Sequence, residues 1–131
     1  MKWIFNCDGG QIDGYTNCIW NGITCLELAR IIKEIVDTNN WWTGVRHVNS
    51  PDSLSKYDLC KLIIDVYNLN IQVNPVEAGQ ISGSKINDTM DRTLSSIHSW
   101  PNCNVSSVNT QLHKLKDFDI ELDNGLLDAE I

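Results

Sequence analysis

Two helix starts constrain this chain more than anything else in it, and both are written the same way. Thr24 stands three residues before Glu27, and Ser55 three residues before Asp58. A hydroxyl followed at that spacing by a carboxylate can satisfy the orphan N–H groups of a first helical turn. Behind the first pair, Leu28, Ile31, Ile32 and Ile35 recur at helical spacing, with Lys33 and Glu34 on another face. Behind the second, Leu59, Leu62, Ile63, Val66 and Tyr67 form one apolar stripe. The spacing predicts a helix over about 25–37 and another from Ser55 to about Asn68. A weaker amphipathic helix is expected from Val105 to Phe118, using Val108, Leu112 and Leu115.

Such helices need a surface to cover. Strand-forming stretches lie between them at Tyr15–Trp20, Val45–Asn49 and Ile71–Val73. Pro51 should end the second and Asn74-Pro75 the third, because proline donates nothing to a ladder. Residues 77–89 are rich in Gly, Ser and Asn and read as a loop. The order predicts a mixed α/β (α+β) fold, a small sheet with packed helices. A length of 131 residues with 42% hydrophobic residues is enough for one core without metal or disulfide staples.

The formal net charge of −7 is uneven. Six acids and no base follow Lys116, so the remaining 11 of the 17 acids nearly balance the 10 bases. We expect one substrate-side domain over 1–116 and an acidic, solvated tail over 117–131. A near-neutral body has no basic footprint for nucleic acid. The five cysteines include no C-x-x-C spacing, so reduced thiols are expected rather than a zinc site or a disulfide framework. No apolar run reaches spanning length, and the N-terminal one is too short for a secretory signal; a cytoplasmic protein is expected.

Four groups of residues invite a chemical reading. Tyr57 and Lys61 spell Y-x-x-x-K, a spacing that puts a phenol and an ammonium one turn apart. That pair needs a glycine-rich dinucleotide turn ahead of it, and no G-x-G-x-x-G occurs here, so we read it as structural. His47, His98 and His113 are far apart and suggest neither a triad nor a metal set. Trp20-Asn21-Gly22-Ile23-Thr24 joins an aromatic ring, an amide and a helix start, which is either a well-capped turn or a seat for an anion. Asp91-Arg92-Thr93 is either a surface pair or an arginine placed to fork onto a diphosphate.

Taken in order, Gly14-Tyr15-Thr16-Asn17, Trp20–Thr24, Leu28-Ala29 and Ile31-Ile32 resemble the region after the catalytic helix in dTDP-4-dehydrorhamnose reductase-like proteins, within the extended short-chain dehydrogenase/reductase (NAD-dependent epimerase/dehydratase) family. Gly44–Val48 with Ser55–Leu59 resembles that family's next strand and helix, and Asp91–Ser95 a later segment in which an arginine precedes a short polar-Leu run. The resemblance covers roughly residues 14–96. It implies the C-terminal, substrate-binding portion of a nucleotide-sugar reductase, without the Rossmann half that binds NAD(P). It implies no catalytic, cofactor or metal residue here, and Trp20, Asn21, Thr24 and Arg92 as substrate-side candidates. The implied partners are a nucleotide sugar and either a complementary Rossmann half or further copies of the chain. The alternative is a non-catalytic nucleotide-sugar-binding or protein-interaction module.

Overall fold

The computed structural model describes residues 2–78, 90–98 and 104–126. Its elements run α1 (Lys2–Phe5), β1 (Gln11–Tyr15), β2 (Cys18–Trp20), α2 (Cys25–Thr38), β3 (Leu54–Ser55), α3 (Lys56–Tyr67), β4 (Gln72–Val76), β5 (Met90–Asp91) and α4 (Val108–Leu126). The mixed α/β class read from the sequence is the one observed.

Both strong helices start and stop where local chemistry dictates. Thr24 and Ser55 are extended and accept from the backbone N–H of Glu27 and Asp58. Asn39 (φ 53°) and Asn68 (φ 54°) then turn left-handed. In each case the residue beyond reaches back into the last turn, Asn40 N–H to Ile35 O (3.1 Å) and Leu69 N–H to Ile64 O (3.0 Å). Asparagine tolerates this conformation better than most residues that carry a Cβ, so it ends helices here where glycine often does.

The strands depart from expectation because they depend on distant partners. Tyr15–Trp20 is not one strand. β1 pairs in parallel with β4, while β2 pairs antiparallel with β3 and parallel with β5. The chain changes sheets at Thr16-Asn17. Thr16 N–H donates to Val76 O (2.9 Å), and the Asn17 amide both donates to Ala78 O (3.3 Å) and accepts from Ala78 N–H (2.8 Å). Val45–Asn49 forms no strand. It alternates like one, but no described strand lies alongside it, and Val45 is 81% exposed. β4 runs through Asn74-Pro75 rather than ending there. Gln72 N–H points to Gly10 O, so two-residue alternation turns Asn74 and Val76 toward β1 and Pro75 toward the open edge, where no ladder bond is lost.

The core centres on α3. Ile63, Ile64, Val66 and Cys60 pack with Ile4, Ile12, Val108 and Leu112. Gly14 of β1 lies so close to α3 that a Cβ there would meet the Tyr57 Cα at 2.8 Å. α4 begins later and ends later than the pattern 105–118 suggests. The Asp52 carboxylate accepts from Val108 N–H (3.1 and 3.2 Å), fixing the start, and the helix continues through the acidic stretch past residue 116. The loop expected over 77–89 falls mostly outside the described residues.

Candidate functional site

β2 gathers most of the candidates. Its neighbour β5 pairs Cys18 with Met90 and Ile19 with Asp91, and Arg92 N–H donates to Ile19 O (3.0 Å). Beyond the end of the strand, Asn21 continues the pairing with its side chain. Its Nδ2 donates to Leu94 O and its Oδ1 accepts from Leu94 N–H, both at 2.8 Å. The buried Asn21 amide therefore fastens the Arg92–Leu94 segment beside Trp20, and the Arg92 side chain is exposed. Asp91 accepts from Thr93 N–H (2.9 Å), which holds its carboxyl below the usual carboxylate range.

Trp20 is half-buried, and its indole lies across Gly22. A Cβ on Gly22 would come within 2.2 Å of the ring, so any other residue here would force the indole to move. Thr24 follows at the start of α2. Trp20, Asn21 and Arg92 are thus brought together by one strand pair, with Thr24 one turn further along the chain.

A buried polar junction holds this turn in place, and nothing in the local sequence marks its members. Gln111 on α4 is 1% exposed. Its Oε1 accepts from Thr24 N–H (2.8 Å), and its Nε2 donates to Ser50 Oγ (2.8 Å) and Ser106 O (2.6 Å). Ser50 N–H donates to Asn21 O and Ser50 Oγ to Gly22 O, both at 2.7 Å. Glu27 does not complete the capping box. The Thr24 N–H goes to Gln111, and the Glu27 carboxylate takes Ser106 N–H (2.9 Å) and the Arg30 guanidinium (3.0 and 3.2 Å). Burial pushes the Glu27 carboxyl up, but Arg30, the Ser106 N–H and the Lys114 charge together outweigh it and hold the group below its ordinary value. No buried side-chain N or O among the described residues lacks a partner. A groove of about 350 Å³ runs beside the junction, lined by Thr24, Glu27, Arg30, Gln111, Lys114 and Phe118.

The remaining candidates stay apart. Lys61 is exposed, with its Nζ 5.4 Å from the centre of the Tyr57 ring, and Tyr57 sits in the first turn of α3 against β1. His47, His98 and His113 are all exposed, and His47 lies outside any strand. Among the described residues no three His, Cys, Asp or Glu side chains cluster as a metal site, and no helix is long and apolar enough to cross a membrane.

No family model and no curated protein sequence matches the chain. Its fold, however, is one met in nucleotide-sugar reductases. It is similar to dTDP-4-dehydrorhamnose reductase from Bacillus anthracis in complex with NADP, with a TM-score of 0.68 over 92% of this chain at 18% identity. The reductases from Clostridium acetobutylicum (TM-score 0.67, 89% of this chain, 14% identity) and Yersinia enterocolitica (0.66, 86%, 17%) are similar as well. The chain spans about two fifths of their length, 41%, 42% and 40% for the Clostridium, Bacillus and Yersinia structures. At these identities the likeness is one of fold, and it points to the same proteins as the motifs at Gly14–Thr24, Gly44–Leu59 and Asp91–Ser95.

Proposed function

We propose that this chain is the nucleotide-sugar-binding portion of a dTDP-4-dehydrorhamnose reductase-like oxidoreductase and is not catalytic by itself. The observation that carries the reading is the unequal coverage: nearly all of this chain corresponds to part of those reductases, and most of each reductase has no counterpart here. In this reading Arg92 forks onto the diphosphate and Trp20 offers a face to the nucleotide. Asn21 positions Arg92 rather than touching ligand, because both ends of its amide are engaged by Leu94. Thr24 fixes the start of α2.

The residues present do not suit a dinucleotide. The sequence holds no G-x-G-x-x-G, and at the start of α2 the Thr24 and Glu27 N–H groups are taken by Gln111 and Thr24 side chains. In this reading NADP, which the Bacillus anthracis reductase binds, is not held by these residues. A second reading, a protein-interaction module with no sugar ligand, is favoured by the outward apolar face of α2, where Leu28, Ile32 and Val36 are exposed.

Calorimetry of the folded chain with dTDP and dTDP-rhamnose separates the two. Heat with both ligands is expected, with Arg92→Ala weakening each about 10-fold or more. A folded chain that gives no heat with either leaves only the interaction module. Turnover of dTDP-4-dehydrorhamnose by the chain alone with NADPH would overturn its non-catalytic assignment.

A further inference from the structure

The turn that carries Trp20 and Asn21 has a loose point at its centre. A Cβ on Gly22 would displace the Trp20 ring, and glycine is also the residue whose backbone is freest to swing. Left to itself, Gly22 would uncouple Trp20 and Asn21 from the start of α2. One residue outside the turn closes this freedom. Ser50 is 1% exposed and lies in the segment before β3. Its N–H donates to Asn21 O and its Oγ to Gly22 O, both at 2.7 Å. Those carbonyls belong to the two peptide planes on either side of the Gly22 Cα, so Ser50 grips both planes whose relative orientation glycine leaves free. Ser50 is itself braced. Gln111 Nε2 donates to its Oγ (2.8 Å) while Gln111 Oε1 takes Thr24 N–H (2.8 Å). Two residues on, the Asp52 carboxylate holds Val108 N–H at the start of α4 (3.1 and 3.2 Å).

We propose that Ser50 is a positioning residue for ligand recognition by Trp20 and Arg92. The ligand rests on the nucleotide-sugar reading; the clamp does not. From Gly22 the effect of Ser50 reaches both side chains. The Trp20 indole lies across Gly22 and moves with it. The Asn21 backbone, held through its carbonyl, is the base from which the Asn21 amide engages Leu94 N–H and O, both at 2.8 Å. Arg92 sits between that pair of bonds and its own N–H bond to Ile19 O (3.0 Å), so a displaced Asn21 releases one of the two anchors of the Arg92 segment. An arginine that forks onto a diphosphate gains from being held, because order set during folding is not lost again on binding. Ser50 is buried, and its N–H and hydroxyl are engaged inside the protein, so it acts only through these neighbours.

The test uses the full chain, first without ligand. In native-state hydrogen exchange the Thr24, Ser50 and Leu94 N–H groups of the parent are expected to open together, with one urea dependence. Ser50→Ala is expected to speed exchange at Leu94 about 10-fold relative to Ile64 and Val66 on α3. Ile63→Val, which weakens only the core, leaves that ratio unchanged. With dTDP in calorimetry, Ser50→Ala is expected to weaken binding about 10-fold. Adding Arg92→Ala to it should cost less than adding Arg92→Ala to the parent, because both act on one contact. A Leu94 ratio that ignores Ser50→Ala overturns the clamp. So does a parent in which Leu94 opens independently of Thr24 and Ser50, a measurement that decides the matter even if Ser50→Ala does not fold. Full additivity of Ser50→Ala and Arg92→Ala overturns the positioning role. A folded parent that gives no heat sinks the nucleotide-sugar reading and with it the role of Ser50 in recognition, while the exchange results still decide whether Ser50 holds the Arg92 segment.

Discussion

α2 and α3 begin with the same grammar and solve opposite problems. α3 turns Cys60, Ile63, Ile64 and Val66 inward and leaves Lys56, Asp58, Lys61 and Asp65 in solvent. α2 turns a carboxylate inward and its Leu28–Ile32–Val36 row outward. The first arrangement gains stability from apolar area removed from water. The second holds position by directed bonds. Burying Glu27 is tolerable because Arg30 and the Ser106 N–H meet its oxygens, and burying Gln111 because all its polar atoms have partners. Amphipathic patterning shows that a helix has an apolar face. Which neighbour covers that face depends on contacts elsewhere in the fold.

The sharpest way to break this contrast is to remove the same atoms from both helices. Ile63→Ala, at 3% exposure, is expected to cost about 2–5 kcal/mol in urea unfolding. Ile32→Ala is expected to stay within about 0.5 kcal/mol when measured dilute enough for the chain to be monomeric. Equal losses would mean that α2's outer row is packed after all. Next in size is Gln111→Leu, which keeps bulk but strands the Thr24 N–H and the Ser106 carbonyl; about 1–3 kcal/mol should be lost. A neutral result would show that the polar junction does not hold α2.

Glu27 gives the contrast a pH signature. Its carboxyl lies below the ordinary value of 4.5, so between the two values the unfolded chain binds more protons than the folded one. Its contribution is full above the ordinary value and is lost as pH falls through the depressed one. Glu27→Gln should therefore be less stable near neutrality, and its stability should fall less on acidification. If the two unfolding profiles run parallel below pH 4.5, the buried carboxylate is not what α2 rests on.

What was legible follows the reach of each interaction. The helix starts at Thr24 and Ser55 and the stops at Asn39 and Asn68 depend on residues within a turn, and the sequence predicts them to within a residue or so. The strands depend on pairing across the chain. Asn17 is bound to Ala78, 61 residues away, and nothing local distinguishes that asparagine from one inside a strand. Val45–Asn49 carries a strand's alternation with no described strand beside it. The candidates Trp20, Asn21 and Arg92 were found as motifs, and the structure shows how β2 and β5 unite them. Gln111 and Ser50 carry no such signal. A glutamine on an amphipathic helix and a serine before proline look like solvent-facing residues until a partner 61 positions away buries them together.

The smallest expected effect tests the far side of α3. The Tyr67 hydroxyl donates to Asp119 Oδ2 (3.2 Å), its ring meets Phe5 edge-on at 5.0 Å, and Lys116 Nζ donates to Val66 O (2.7 Å). These contacts tie the acidic half of α4 to the end of α3, so this stretch is not wholly solvated. Burial, and then the Asp119 charge and hydrogen bond, push the Tyr67 phenol up to about 12 from its ordinary 10.0. Between those values the unfolded chain has lost a proton that the folded chain keeps. The contribution is full below pH 10.0 and lost as pH rises toward about 12. Tyr67→Phe keeps the ring and removes the hydroxyl. It should cost about 0.5–1.5 kcal/mol at neutral pH and flatten the alkaline loss of stability. If the variant matches the parent at both pH values, the bond to Asp119 contributes nothing measurable, and α4 is held by its other contacts, through Asp52, Val108, Gln111, Leu112 and Lys116.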